Sequence, residues 1–189
     1  MINRAELLRF FATKITDEIV VATYSSASDW INIADRPLNY FSAGAMGLAS
    51  SHALGLALAR PERRVIVLDG DGSLLMNLGS LVTIAKMAPT NLTHFVFKNG
   101  SYEANGGHPI PNAGTDFAGI ARSSGIAKSS TIHTLDDFKA KANYFLTEPG
   151  PVFCCLDIEQ GPLGKREYAY MYRPEQRQAL RDALAAGKP

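Results

Sequence analysis

Cysteine is nearly absent from this chain of 189 residues, and the two that occur, Cys154 and Cys155, are neighbours. Adjacent strand residues point to opposite faces, so the two thiols are poor disulfide partners and a reducing, cytoplasmic setting is expected. Two thiolates also fall short of the set that an iron–sulfur cluster normally takes. No apolar run approaches the roughly 20 residues of a membrane span. No low-complexity tract or block of like charge suggests disorder, and a net charge of +1 gives no field to draw nucleic acid or an anionic membrane. A soluble, unprocessed protein follows, with no nucleic-acid or membrane partner, and any anionic ligand must be held by local groups.

The hydrophobic content, 46%, suffices for one substantial core. A single domain over 1–189 is expected, with 160–189 as a C-terminal extension packing on the domain or on a partner. The N-terminus, Met1 to Ile15, reads as an amphipathic helix. Glu18 to Thr23, Val65 to Leu68, Thr93 to Phe97 and Val152 to Ile158 read as strands, rich in β-branched and aromatic residues. Helical stretches lie at Met46 to Arg60, Leu74 to Met87, Asp116 to Ser124 and Thr134 to Phe145, and a last helix runs from Pro174 to about Ala186. Strands that alternate with helices and are apolar throughout, such as Val65-Ile66-Val67-Leu68, predict an α/β doubly wound, mostly parallel sheet with helices on both faces.

Chemistry concentrates after two of these strands. Asp69-Gly70-Asp71-Gly72-Ser73 lies between a strand and a helix, a glycine turn suited to an anion because backbone can approach closely and helix-terminal amides point outward. Asp71 inside that turn would repel a phosphate unless a divalent cation lay between them. The next strand ends in Lys98-Asn99-Gly100-Ser101-Tyr102 at the same carboxyl edge, where open parallel sheets bind ligands. Asp71, Asn99 and a backbone carbonyl near Ser101 offer the oxygen ligands that Mg²⁺ accepts beside phosphate and water.

Gly70-Asp71-Gly72-Ser73 followed by Lys98-Asn99-Gly100 resembles the thiamine diphosphate motif. Together with Gly44-Ala45-Met46-Gly47 and Asn99-Gly100-Ser101-Tyr102-Glu103-Ala104-Asn105-Gly106-Gly107, it is similar to the sulfopyruvate decarboxylase beta subunits and phosphonopyruvate decarboxylases over roughly residues 15 to 160. The resemblance implies Mg²⁺ bound by Asp71, Asn99 and the Ser101 carbonyl, and diphosphate held by Gly70, Gly72 and Ser73. It implies Met46 as the apolar support beneath the cofactor and the Gly44 carbonyl as acceptor for the aminopyrimidine. Ser25 and Ser26 are further cofactor contacts, although their loop has Ser28-Asp29 where the family has Ser-Arg-Glu, a missing arginine that bears on a sulfonate or phosphonate substrate. Tyr102 joins the cofactor contacts and, with Glu103, is expected to order the metal loop, although Glu103 reads equally well as a solvated surface carboxylate. Asn105 and His108 are the catalytic candidates, downstream of that loop.

The same resemblance implies a beta subunit of a 2-oxo acid decarboxylase. The glutamate that activates the cofactor would then lie on a separate pyrimidine-binding alpha subunit, in a hetero-oligomer with the active site at the interface. A carboligase or lyase of the same superfamily, or a non-catalytic cofactor-binding regulatory subunit, stands as the alternative. A nucleotide-binding module would want a Walker lysine or a full dinucleotide fingerprint, and neither is present. His52 and His94 read as structural. Tyr168, Tyr170 and Tyr172 alternate with other residues as in an extended segment at a subunit contact.

Overall fold

A computed structural model of the chain describes residues 1–161 and 168–186, without the side chain of Tyr168. Its strands are β1 (Ile19–Ala22), β2 (Asn39–Phe41), β3 (Val65–Gly70), β4 (Leu92–Lys98), β5 (Ser101–Tyr102), β6 (His108–Pro109), β7 (Lys128–Ile132) and β8 (Val152–Asp157). Its helices are α1 (Arg4–Ala12), α2 (Tyr24–Ile33), α3 (Ala49–Ala59), α4 (Asp71–Leu75), α5 (Gly79–Met87), α6 (Phe117–Ser123), α7 (Leu135–Thr147), α8 (Tyr168–Met171) and α9 (Pro174–Ala186). Six strands form one sheet in the order β2-β1-β3-β4-β8-β7, parallel at every pairing, and β5 and β6 make a short antiparallel ribbon beyond its carboxyl edge. Among the described residues no helix is long and apolar enough to cross a membrane.

The sheet buries both faces. Ile66, Leu68, Phe95, Phe97, Cys154 and Leu156 pack on one side against Leu7, Leu8 and Phe11 of α1, Trp30 of α2, and Phe138 and Phe145 of α7. Val65, Val67, Val96, Phe153 and Cys155 pack on the other against Ala53 and Ala57 of α3, Leu81 and Ile84 of α5, and Phe117 of α6. The adjacent cysteines therefore serve opposite cores as free thiols, and burial pushes the Cys154 thiol up to about 12.

Several elements depart from the sequence expectation. The segment after β1 is a helix, α2, although Ser25, Ser26 and Ser28 favour caps and turns. Burial of Ala27, Trp30 and Ile31 outweighs that preference, and Trp30 Nε1 donates to Asn39 Oδ1 at 2.9 Å. The edge strands β2 and β7 are short or polar and carry little strand signal. The helix expected over Leu74 to Met87 starts earlier, at Asp71, and breaks at Met76 to Leu78 into α4 and α5. The extended run expected at Tyr168 to Tyr172 is instead the helix α8. A helical turn lets consecutive residues reach inward: Met171 is buried, while Tyr170 sets its ring edge-on to Phe41 and bonds Asp35.

Pro174–Ala186 is helical as read from sequence. In the part of 160–189 that is described, Gln176 Nε2 donates to the Arg36 carbonyl at 3.4 Å and the Leu184 carbonyl accepts from Arg60 Nη2 at 2.8 Å, so α8 and α9 lie against the sheet's β2 side.

Phe138 is fully buried among Phe11, Phe95 and Phe145, with ring centroids 5.7 to 5.8 Å away. Phe138→Ala should therefore lower the unfolding free energy by about 3–5 kcal/mol in urea titration, and Phe138→Leu by clearly less.

Candidate functional site

From β1 the chain turns outward to β2, and from β3 it turns the other way to β4. The loops leaving these two neighbouring strands diverge and open a crevice at the carboxyl edge, the place where doubly wound sheets bind ligands. An open crevice lies there, lined by Thr23, Tyr24, Ser25 and Ser26 after β1, by Gly70 to Ser73 after β3, and by the residues around Asn99 to Glu103 after β4.

Asp71 is the centre of this arrangement. Gly72 N–H donates to its Oδ1 at 2.8 Å, and Asn99 N–H and Gly100 N–H donate to its Oδ2 at 3.1 and 2.7 Å. These bonds tie the loop after β4 to the turn after β3. Burial nevertheless raises the carboxyl from 3.8 to about 6, outweighing the backbone donors that favour the anion. Ionised Asp71 thus costs the folded chain stability as pH rises through that value, a cost that a cation beside it would offset. Asn99 Oδ1, which accepts from Ser101 N–H at 2.9 Å and Ser101 Oγ at 3.1 Å, belongs to the same loop.

The surroundings suit an anion. Gly70 has open space where a Cβ would stand, so bare backbone faces the crevice. A Cβ on Gly72 would lie 2.5 Å from the Tyr102 ring, so the absence of a side chain lets Tyr102 close over the turn. The first turn of α2 carries Ser25 and Ser26, and Thr23 makes no side-chain cap to it because its hydroxyl donates to the Ser42 carbonyl at 2.8 Å. First-turn amides have no partner within their helix and favour negative charge. Tyr24 sits at φ 47°, a strained setting for a bulky residue at the point where the chain bends into the crevice.

The Gly44 to Gly47 segment is stitched to the same turn. Gly47 N–H donates to Ser73 Oγ at 3.1 Å, and Asn77 Nδ2 donates to the Gly47 carbonyl at 2.9 Å. Gly47 adopts φ 85°, and a Cβ there would lie 3.1 Å from the Asn77 side chain, which explains both the glycine and the interruption between α4 and α5. Met46 reaches the crevice wall as a result. His52 braces this segment from α3, its Nδ1 3.0 Å from Ser42 Oγ, and His94 is buried with Nε2 3.3 Å from Asp69 Oδ2.

Ser25, Ser26, Met46, Gly70, Asp71, Gly72, Ser73, Asn99, Ser101 and Tyr102 thus meet in one cavity. Gly44 stands outside its lining, exposed, with φ 110°. Asn105 and His108 are exposed and also outside the lining, His108 pairing with Tyr102 across the β5–β6 ribbon. Sequence reasoning missed Arg4, which lines the cavity from α1 and binds Asp29 and Glu103. Its position in an amphipathic helix gave no sign of that burial. Glu103, readable as a solvated carboxylate, is 8% exposed.

Among the described residues no group of three or more His, Cys, Asp or Glu converges. One carboxylate with amide and backbone oxygens is a partial set, suited to a hard cation whose remaining ligands come from phosphate and water.

Residues 23–156 match the family described as thiamine pyrophosphate enzyme, C-terminal TPP binding domain. The sulfopyruvate decarboxylase subunit beta of Methanothermobacter thermautotrophicus is 37% identical over 162 residues, which cover 85% of this chain and 84% of the relative. The phosphonopyruvate decarboxylase of Streptomyces viridochromogenes is 37% identical over 160 residues, 84% of this chain but only 40% of that protein. In three dimensions the benzoylformate decarboxylase of Polynucleobacter necessarius superposes with a TM-score of 0.73 at 22% identity, covering 85% of this chain and 34% of the other, a likeness of fold. The chain therefore belongs to the thiamine pyrophosphate enzymes, in the group that includes the sulfopyruvate decarboxylase beta subunit.

Proposed function

We propose that this chain is the beta subunit of a thiamine diphosphate- and Mg²⁺-dependent 2-oxo acid decarboxylase whose active site is completed by a pyrimidine-binding alpha subunit. The observation that carries this reading is the buried Asp71 carboxylate, fixed by three backbone amides at the mouth of the crevice beside Asn99 Oδ1. Asp71, Asn99 and the Ser101 carbonyl would hold Mg²⁺. Gly70, Gly72, Ser73, Ser25 and Ser26 would hold the diphosphate, the Ser73 hydroxyl still having its proton to donate while its oxygen accepts from Gly47. Tyr102, closed over Gly72, would keep water from that end of the cofactor.

When bound, thiamine diphosphate supplies the electron sink that lets a 2-oxo acid lose CO₂. The chain's own share would be to bind and orient it: Met46, pinned through Gly47 to Ser73 and Asn77, would support its middle, and the exposed Gly44 would offer its carbonyl to the aminopyrimidine. Glu103 is the one glutamate lining the crevice among the described residues, and Arg4 engages it on the metal loop. A carboxylate facing the pyrimidine would then come from outside these residues, as the alpha-subunit reading expects. Asn105 and His108, exposed in the single chain, would meet substrate only in a site closed by that subunit.

Thiamine diphosphate with Mg²⁺ at about 100 times its Kd should raise the thermal midpoint of the chain by about 5–10 °C, and Asp71→Ala should abolish that rise without unfolding the domain. An undiminished rise in the variant would refute the metal assignment. Met46→Ala, assayed with the alpha subunit present, should keep Mg²⁺-dependent cofactor affinity within about threefold while lowering kcat by about tenfold or more, the mark of lost orientation. Equal kcat would remove Met46 from the cofactor site.

A further inference from the structure

Arg4 is the one cationic side chain among the described residues that line the crevice, and it is already engaged. Its Nε donates to Asp29 Oδ2 at 2.6 Å, its Nη1 to Glu103 Oε2 at 2.6 Å and its Nη2 to Glu103 Oε1 at 3.2 Å. The guanidinium is 9% exposed, Glu103 8% and Asp29 16%, so the cluster lies largely out of water. Burial opposes the charge on Arg4, yet its two carboxylates hold its pKa above the ordinary value, so it stays charged.

One guanidinium between two carboxylates carries a net negative charge, the wrong sign for receiving a diphosphate or an acidic substrate. What the cluster supplies is geometry. Arg4 stands on the first turn of α1, Asp29 on α2 one turn beyond Ser25 and Ser26, and Glu103 directly after Tyr102 on the metal loop. The planar fork grips Glu103 with both terminal nitrogens while its Nε faces Asp29, which fixes direction as well as distance. A shift of Glu103 would carry Tyr102 off Gly72 and displace the Ser101 carbonyl two residues back.

We propose that Arg4 is a positioning residue, clamping the metal-binding loop and the diphosphate-facing turn of α2 to the N-terminal helix, so that seating α1 and binding metal–diphosphate are coupled. This rests on the cofactor site proposed above. The coupling is reciprocal: whatever loosens the clamp weakens the cofactor, and cofactor binding tightens α1.

The test is a double-mutant cycle of Arg4→Met, Glu103→Gln and the pair, read as thiamine diphosphate affinity in saturating Mg²⁺ by calorimetry, with the unliganded thermal midpoint of each variant recorded. Arg4→Met should weaken binding about tenfold or more, Glu103→Gln about threefold, and the pair should be little weaker than Arg4→Met alone, because Glu103→Gln acts on a contact that Arg4→Met has already removed. The sign for Glu103→Gln separates the clamp from a simple field effect. Removing a negative charge near an anionic ligand would tighten binding if Arg4 and Glu103 acted only by charge, and that result would overturn the proposal. Unchanged affinity in Arg4→Met would overturn it too. Should Arg4→Met fail to fold, the near-isosteric Glu103→Gln carries the test, with Arg4→Lys expected to fall between wild type and Arg4→Met. If wild type itself binds no cofactor, the cofactor reading has failed, an outcome distinct from wild-type binding that the variants leave unaltered.

Discussion

A carboxylate taken almost wholly out of water organises this molecule. Asp71 is 2% exposed, and its ionised form is tolerable only because three amides from two loops converge on it. Those bonds set where the loop after β4 lies relative to the turn after β3, and hence where Asn99, Ser101 and Tyr102 lie. The remaining mismatch, a carboxyl pushed up to about 6 by burial, is what the proposed cation would relieve. Arg4, the one cation lining the crevice among the described residues, is committed to Asp29 and Glu103.

On the proposed reading, this charge balance would let a protein of net charge +1 address a strongly anionic cofactor. In the proposed site, helix-terminal amides and bare glycine backbone would handle phosphate oxygens, and a divalent ion would reconcile them with Asp71. The same scarcity of free cations bears on specificity. The stretch Ser28-Asp29 lies on α2, with Ser28 buried and Asp29 bound to Arg4, so it brings no second guanidinium to the crevice.

Legibility in the sequence followed physical scale. Strands buried on both faces, such as Val65 to Leu68, announced the parallel sheet, and two loops at one sheet edge announced the place of the site. Asn99 was readable from its place at the end of a strand, and Met46 and Ser73 through the family resemblance; all three line the crevice. What stayed hidden depends on tertiary context. The serine-rich start of α2 looks like a loop until Trp30 is seen buried against Asn39. The break after α4 follows from the close approach of Gly47, which no local pattern encodes. Arg4 and Glu103 are 99 positions apart, so only the folded chain reveals their pairing. Tyr168 to Tyr172 misled because alternation is shared by strands and by short irregular helices.

The central claim, that Asp71 and Asn99 hold a divalent ion bridging the chain to a diphosphate, is tested most directly by calorimetric titration of thiamine diphosphate into the chain with Mg²⁺ and with chelator. The account predicts saturable binding with Mg²⁺ and at least about a hundredfold weaker binding without it, since an ionised Asp71 would then face the phosphates unshielded. Equal affinity in both conditions, or no binding in either, would contradict it.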